Sequence, residues 1–115
     1  MTRNRRFTVS THGVIELALG LATLVSPALL HFANAGILAA VVLGALIVGL
    51  AVTISDDRRV SLGWHHLCDL VLVVATAVVA LGLAEAGQAS AALFFAALAV
   101  LLSGLNVATR YVAAS

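Results

Sequence analysis

Four apolar stretches of about 20 residues divide this chain, and its basic side chains all sit on alternate flanks of them. All six are arginines. Arg3, Arg5 and Arg6 precede the first stretch, Arg58 and Arg59 separate the second from the third, and Arg110 closes the fourth. The connections after the first and third stretches carry no Lys or Arg. Cationic loops are retained on the cytoplasmic side of a bilayer, so the pattern implies four crossings with both termini in the cytoplasm. The expected location is a plasma membrane, crossed as a multi-pass protein.

The spans are expected at about 13–33, 35–54, 64–84 and 89–109, each long enough for the roughly 30 Å hydrocarbon core. Inside lipid a single segment must satisfy its own backbone groups, so each span must be a helix. The short links, Phe32 to Gly36 and Glu85 to Gln88, make antiparallel hairpins of the helix pairs. Residues 55–61, including Asp56, Asp57, Arg58 and Arg59, form the polar cytoplasmic loop. Trp64 and Tyr111 at cytoplasmic ends, and Phe32 at the outer one, occupy positions where aromatic rings anchor helices. The expected architecture is all-α: one integral membrane domain over 1–115, a four-helix bundle of two tandem hairpins. Arg-rich residues 1–6 and the Ala33-Asn34-Ala35 pattern resemble a cleavable leader. Glu16 lies early in the apolar run, and that run exceeds the usual 7–15 residues, so the first span is expected to be retained.

Hydrophobic residues are 63% of the chain and charged residues 10%, with a net charge of +1, which gives nucleic-acid binding no support. Cys68 is the one cysteine, so no intramolecular disulfide or CxxC metal motif exists. No nucleophile elbow or phosphate-binding loop is present around Ser26, Ser90 or Ser103, and no enzymatic activity and no cofactor are expected. Ala45 with Gly49, and Ala92 with Ala96, are small-xxx-small pairs suited to helix contacts or to oligomer formation.

A shift of 53 residues overlays the first two spans on the last two, giving repeat units of about 12–55 and 65–108. His12 meets His65, Glu16 meets Asp69, and Thr23 meets Thr76. Both units insert the same way up, related by a pseudo-twofold axis along the membrane normal. At 100° per residue the polar triple forms one stripe: His12, Glu16, Gly20, Thr23, Pro27 on the first helix, and His65, Asp69, Val73, Thr76, Ala80 on the third. A charged side chain facing lipid costs roughly 2.5–3.5 kcal/mol at the bilayer centre, so the stripes should face other helices. Asn106 lies at the same depth and can hydrogen-bond to the carboxylates. His66 points about 100° away from His65, at the interface, and His31 has no evident partner. Three roles are open to the cluster. The favoured one is structural, as polar glue between helices. The second is a proton or cation path. The third, a metal site of two histidines and two carboxylates, is not expected to be filled.

Pro27 lacks an N–H and crowds the Thr23 carbonyl, so it should kink the outer end of the first helix, with Ser26 helping to satisfy the freed group. Ser26-Pro27-Ala28, followed by a turn and a second apolar span, resembles the SPW repeat, a two-helix unit of small bacterial membrane proteins. Ala28 stands where that motif has Trp, and the second unit reads Val79-Ala80-Leu81 instead. The resemblance implies an integral membrane protein and no established reaction, and the expected role of this chain is structural or accessory. Its partners would be the bilayer, a second copy of the chain or a membrane subunit. The length and Glu16 also resemble the small four-span multidrug transporters, although aromatic residues are only 5% here. Proton- or cation-coupled transport through Glu16 and Asp69 is the alternative.

Reporters fused after Ser115 or inserted near Asp57 should read cytoplasmic, and reporters at Asn34 or Gly87 exterior. An exterior reading at Ser115 would overturn the four-span topology.

Overall fold

The computed structural model describes residues 9–52 and 62–109. The six arginines, the loop at 55–61 and Tyr111 lie outside the described residues. Four helices account for most of the rest: α1 Val9–Leu30, α2 Asn34–Val52, α3 Leu62–Glu85 and α4 Ala89–Ala108. They contain 22, 19, 24 and 20 residues. At 1.5 Å per residue each is long enough to cross a hydrocarbon core.

Both hairpin turns use a left-handed residue to stop the first helix. His31 has φ 55° and Gly87 φ 79°. The next amide donates back to the carbonyl five residues earlier, Phe32 N–H to Pro27 O at 3.2 Å and Gln88 N–H to Leu83 O at 2.9 Å. These bonds consume carbonyls that would otherwise end the helix unsatisfied. His31, without a partner in the sequence reading, is thus a turn residue, and it ends α1 three residues before the expected Ala33. Pro27 does not break α1, which runs on to Leu30. The Ser26 hydroxyl donates to Thr23 O at 2.7 Å, replacing the amide bond that Pro27 cannot make.

Packing is extensive within each hairpin, α1 on α2 and α3 on α4, and slighter between hairpins, α2 on α3 and α1 on α4. α1 and α3 therefore oppose each other across the bundle diagonal. The 53-residue offset holds between them, where Thr23 and Thr76 donate alike to Leu19 O and Leu72 O. Along α2 and α4 the offset is 55. Buried Gly36, Ala40, Leu43, Gly44, Ile47 and Ala51 match buried Ala91, Phe95, Leu98, Ala99, Leu102 and Asn106, each 55 residues on. The two extra residues enter at the second turn: α3 runs three residues further before its left-handed cap, and the link that follows is one residue shorter.

The distribution of polarity is inverted relative to a water-soluble bundle. Leu29, Leu81, Leu93 and Val100 are about 70% exposed, whereas His12, Glu16 and His65 are 1% exposed. An apolar exterior on this scale requires an apolar solvent. The chain is a small integral membrane protein. Phe32 is no interfacial anchor: it is buried, its ring 5.9 Å from that of Phe94 and 6.1 Å from that of Phe95, and it joins the first hairpin to α4. Trp64 remains exposed.

The close contacts between α1 and α2 fall on Gly20 and Gly44 and not on the expected Ala45–Gly49 pair, which faces outward one position off that stripe. A Cβ on Gly20 would lie 2.7 Å from Val48 Cγ2 and 3.0 Å from the Val48 amide nitrogen, and one on Gly49 would meet nothing within 4 Å. Ala92 is buried, and its partner Ala96 is exposed. Gly20→Ala should therefore cost about 1–3 kcal/mol in unfolding from mixed micelles, because backbone must move. Gly49→Ala should cost nothing. Equal effects would show that the glycine contact does not set the α1–α2 distance.

Candidate functional site: a buried histidine–carboxylate centre

Both stripes turn inward, and at the end where α1 begins and α4 finishes they deliver His12, Glu16, His65 and Asp69 to one point. Each pair is one helical turn apart on its own helix, so the imidazole and carboxylate of a pair lie one above the other. His12 Nε2 stands 3.6 Å from Glu16 Oε2, and His65 Nε2 stands 3.1 Å from Asp69 Oδ2. The cross-diagonal contacts are as short. His12 Nε2 is 2.9 Å from Asp69 Oδ2, and His65 Nε2 is 3.3 Å from Glu16 Oε1. Exchanging the two hairpins maps each contact onto its counterpart, which is the pseudo-twofold relation that the polar repeat implies. The imidazole rings meet edge to face, 5.7 Å between centroids.

Convergence does not depend on α1 and α3 packing as neighbours. Side-chain reach closes the diagonal, since a histidine and an acid from each side both extend toward the axis. None of the four residues is more than 4% exposed. One or other charge state of this centre must be compensated internally, because an unpaired ion at such burial is heavily penalised.

Thr109, the residue that caps the end of α4, adds a contact to one half of the centre. The Thr109 hydroxyl lies 2.8 Å from His12 Nδ1 and donates to Leu105 O at 2.6 Å. A hydroxyl has a single hydrogen, and the carbonyl can only accept. His12 Nδ1–H must therefore be the donor to Thr109, which turns His12 Nε2 into the centre. Thr109 was not singled out from sequence. Its signal is the polar pair Asn106 and Thr109, three residues apart at the end of a largely apolar segment. Asn106 is itself buried on α4, one turn before Thr109.

The other singled-out residues lie apart from the centre. Ser26 and Pro27 sit toward the turn end of α1, where their work is the backbone repair described above. His66 and Cys68 are half-buried and outside the four-residue group. Ser90 and Ser103 are exposed on the outer surface of the bundle. Beyond the centre, toward the turns, the bundle is filled by one apolar core that includes Ile47, Leu102, Leu43, Leu98, Phe95 and Phe32. The Thr23 and Thr76 hydroxyls at the start of that region are both spent on their own helix backbones.

No protein-family model, no curated protein and no solved structure matches this chain. The likeness to the SPW repeat rests on the Ser26-Pro27 motif, the helix pairing and the internal duplication together.

Thr109→Val keeps the side-chain shape and removes the acceptor for His12 Nδ1. It should lower unfolding stability by about 1–3 kcal/mol, and Thr109→Ser should recover most of the loss. An unchanged Thr109→Val variant would mean that His12 is held without this bond.

Proposed function

We propose that this is a plasma-membrane protein of the SPW-repeat type, with both termini cytoplasmic, that serves a structural or accessory role and no enzymatic one. The observation that carries this reading is the diagonal centre. The two hairpins share little packing surface, and the four ionisable side chains tie them together where they oppose each other. The apolar exterior offers lipid, a second copy or a membrane subunit a continuous contact surface.

Coupled transport through Glu16 and Asp69 needs a polar route continuing from the centre across the membrane. The apolar core between the centre and the turns weighs against such a route.

A double-mutant cycle on His12→Ala and Asp69→Ala tests the fastening role. Residues in direct contact couple by about 0.5–3 kcal/mol, and a coupling in that range is expected here. Reconstituted in liposomes under a pH gradient, the protein should leave internal pH unchanged with or without added cations. A proton flux that Glu16→Gln abolishes would overturn the accessory role in favour of transport.

A further inference from the structure

We propose that His12, Glu16, His65 and Asp69 are the four ligands of one divalent transition-metal ion of the zinc type, held on the pseudo-twofold axis. The proposal rests on the reading that these residues form a single fastening centre, and it names what the centre holds.

Geometry comes first. One donor atom from each residue lies within 4.8 Å of all the others. Asp69 Oδ2 lies 2.9 Å from His12 Nε2 and 3.1 Å from His65 Nε2, and Glu16 presents one oxygen to each imidazole, Oε2 at 3.6 Å to His12 and Oε1 at 3.3 Å to His65. Zinc bonds of about 2.0–2.2 Å in a tetrahedron give edges of about 3.3–3.6 Å between ligand atoms. The four groups thus already stand nearly at ligand spacing, and small side-chain rotations would complete the polyhedron.

The orientation of the donors agrees with this. Thr109 accepts the His12 Nδ1–H and leaves Nε2 directed inward. A metal-bound histidine is commonly fixed in this way, its second nitrogen donating to a neighbouring oxygen. Glu16, 1% exposed, adds an independent sign. Its Oε1 accepts no hydrogen bond, although His65 Nε2 lies 3.3 Å away. A carboxylate oxygen buried without a hydrogen bond is expensive, and a cation at the common focus would use its lone pair.

Charge and donor type narrow the ion. Two carboxylates and two neutral imidazoles sum to two negative charges, which a single dication cancels within the low-dielectric interior. Mixed imidazole and carboxylate donors in four-coordination suit zinc and its neighbours, whereas magnesium and calcium take all-oxygen shells of six or more. Each hairpin supplies one histidine and one acid, so neither half is a site without the other.

The test uses the full chain in detergent micelles, stripped with chelator and titrated with Zn²⁺ or Co²⁺, with Mg²⁺ and Ca²⁺ as controls. One Zn²⁺ per chain should survive desalting. The Co²⁺ adduct should show the visible absorption of a four-coordinate site, bleached by Zn²⁺ and untouched by excess Mg²⁺ or Ca²⁺. Thr109→Val lies outside the ligand set and should weaken Zn²⁺ binding about 10–100-fold at unchanged stoichiometry. His65→Ala and Asp69→Asn, checked for helicity and monodispersity, should weaken it further. X-ray absorption of the wild-type zinc adduct needs no variant, and should show imidazole scattering with first-shell distances near 2.0–2.2 Å. Substoichiometric Zn²⁺, or an adduct without imidazole scattering, overturns the metal assignment. If Zn²⁺ fails to bind while His12 and Asp69 still couple energetically, the fastening centre stands and only the ion falls. If both fail, the reading of the centre falls as well.

Discussion

A carboxylate buried inside a bilayer must be surrounded by groups that stabilise it, and among the described residues Glu16 and Asp69 are buried in this way. Neither can satisfy that demand on its own helix alone. Its histidine one turn away supplies one contact, and the histidine of the opposite hairpin supplies another at 2.9 or 3.3 Å. The rotational setting of α1 and α3 follows, because each stripe must point at the other across the diagonal. Once those two helices are set, α2 and α4 fill the flanks and present their apolar backs to lipid.

The rest of the bundle accommodates this requirement by small local adjustments. Gly20 lets α2 approach α1 just beyond Glu16, where any larger residue would strike Val48. Ser26 repairs the backbone around Pro27. Phe32 folds back from the turn into the core against Phe94 and Phe95, adding an aromatic contact between hairpins at the end opposite the polar one. The thin surfaces between hairpins are thus secured at both ends by different chemistry.

Much of this was legible in the sequence, and the limits have physical causes. Span number, hairpin pairing and the inward stripes follow from apolar length and from polar spacing on single helices, whereas the meeting of the two stripes at one point is decided by how separate helices pack. The 55-residue register of α2 on α4 did not follow. Those helices are apolar almost all round, so no polar residue marks which face is buried, and the polar triple that fixes the offset lies only on α1 and α3. Phe32 was misplaced because its burial depends on the left-handed turn at His31, a conformation that histidine does not advertise. The contact made by Thr109 was invisible for a similar reason: its partner is 97 residues away, and the relative rotation of α4 and α1 decides it. Ala45 and Gly49 lie one helical position off the contact with α1, on the outward face that the oligomer alternative would use.

Thr109 has a further consequence. Moving 55 residues back along the chain from it reaches Ile54, a residue without a hydroxyl. Two identical hairpins associating as a dimer would hold both imidazoles alike, since any substitution would appear in each. Joining the halves in one polypeptide lifts that restriction. Sequence change can then anchor one histidine from outside the ring and leave its twin to different surroundings, giving a nearly symmetric centre two chemically distinct poles.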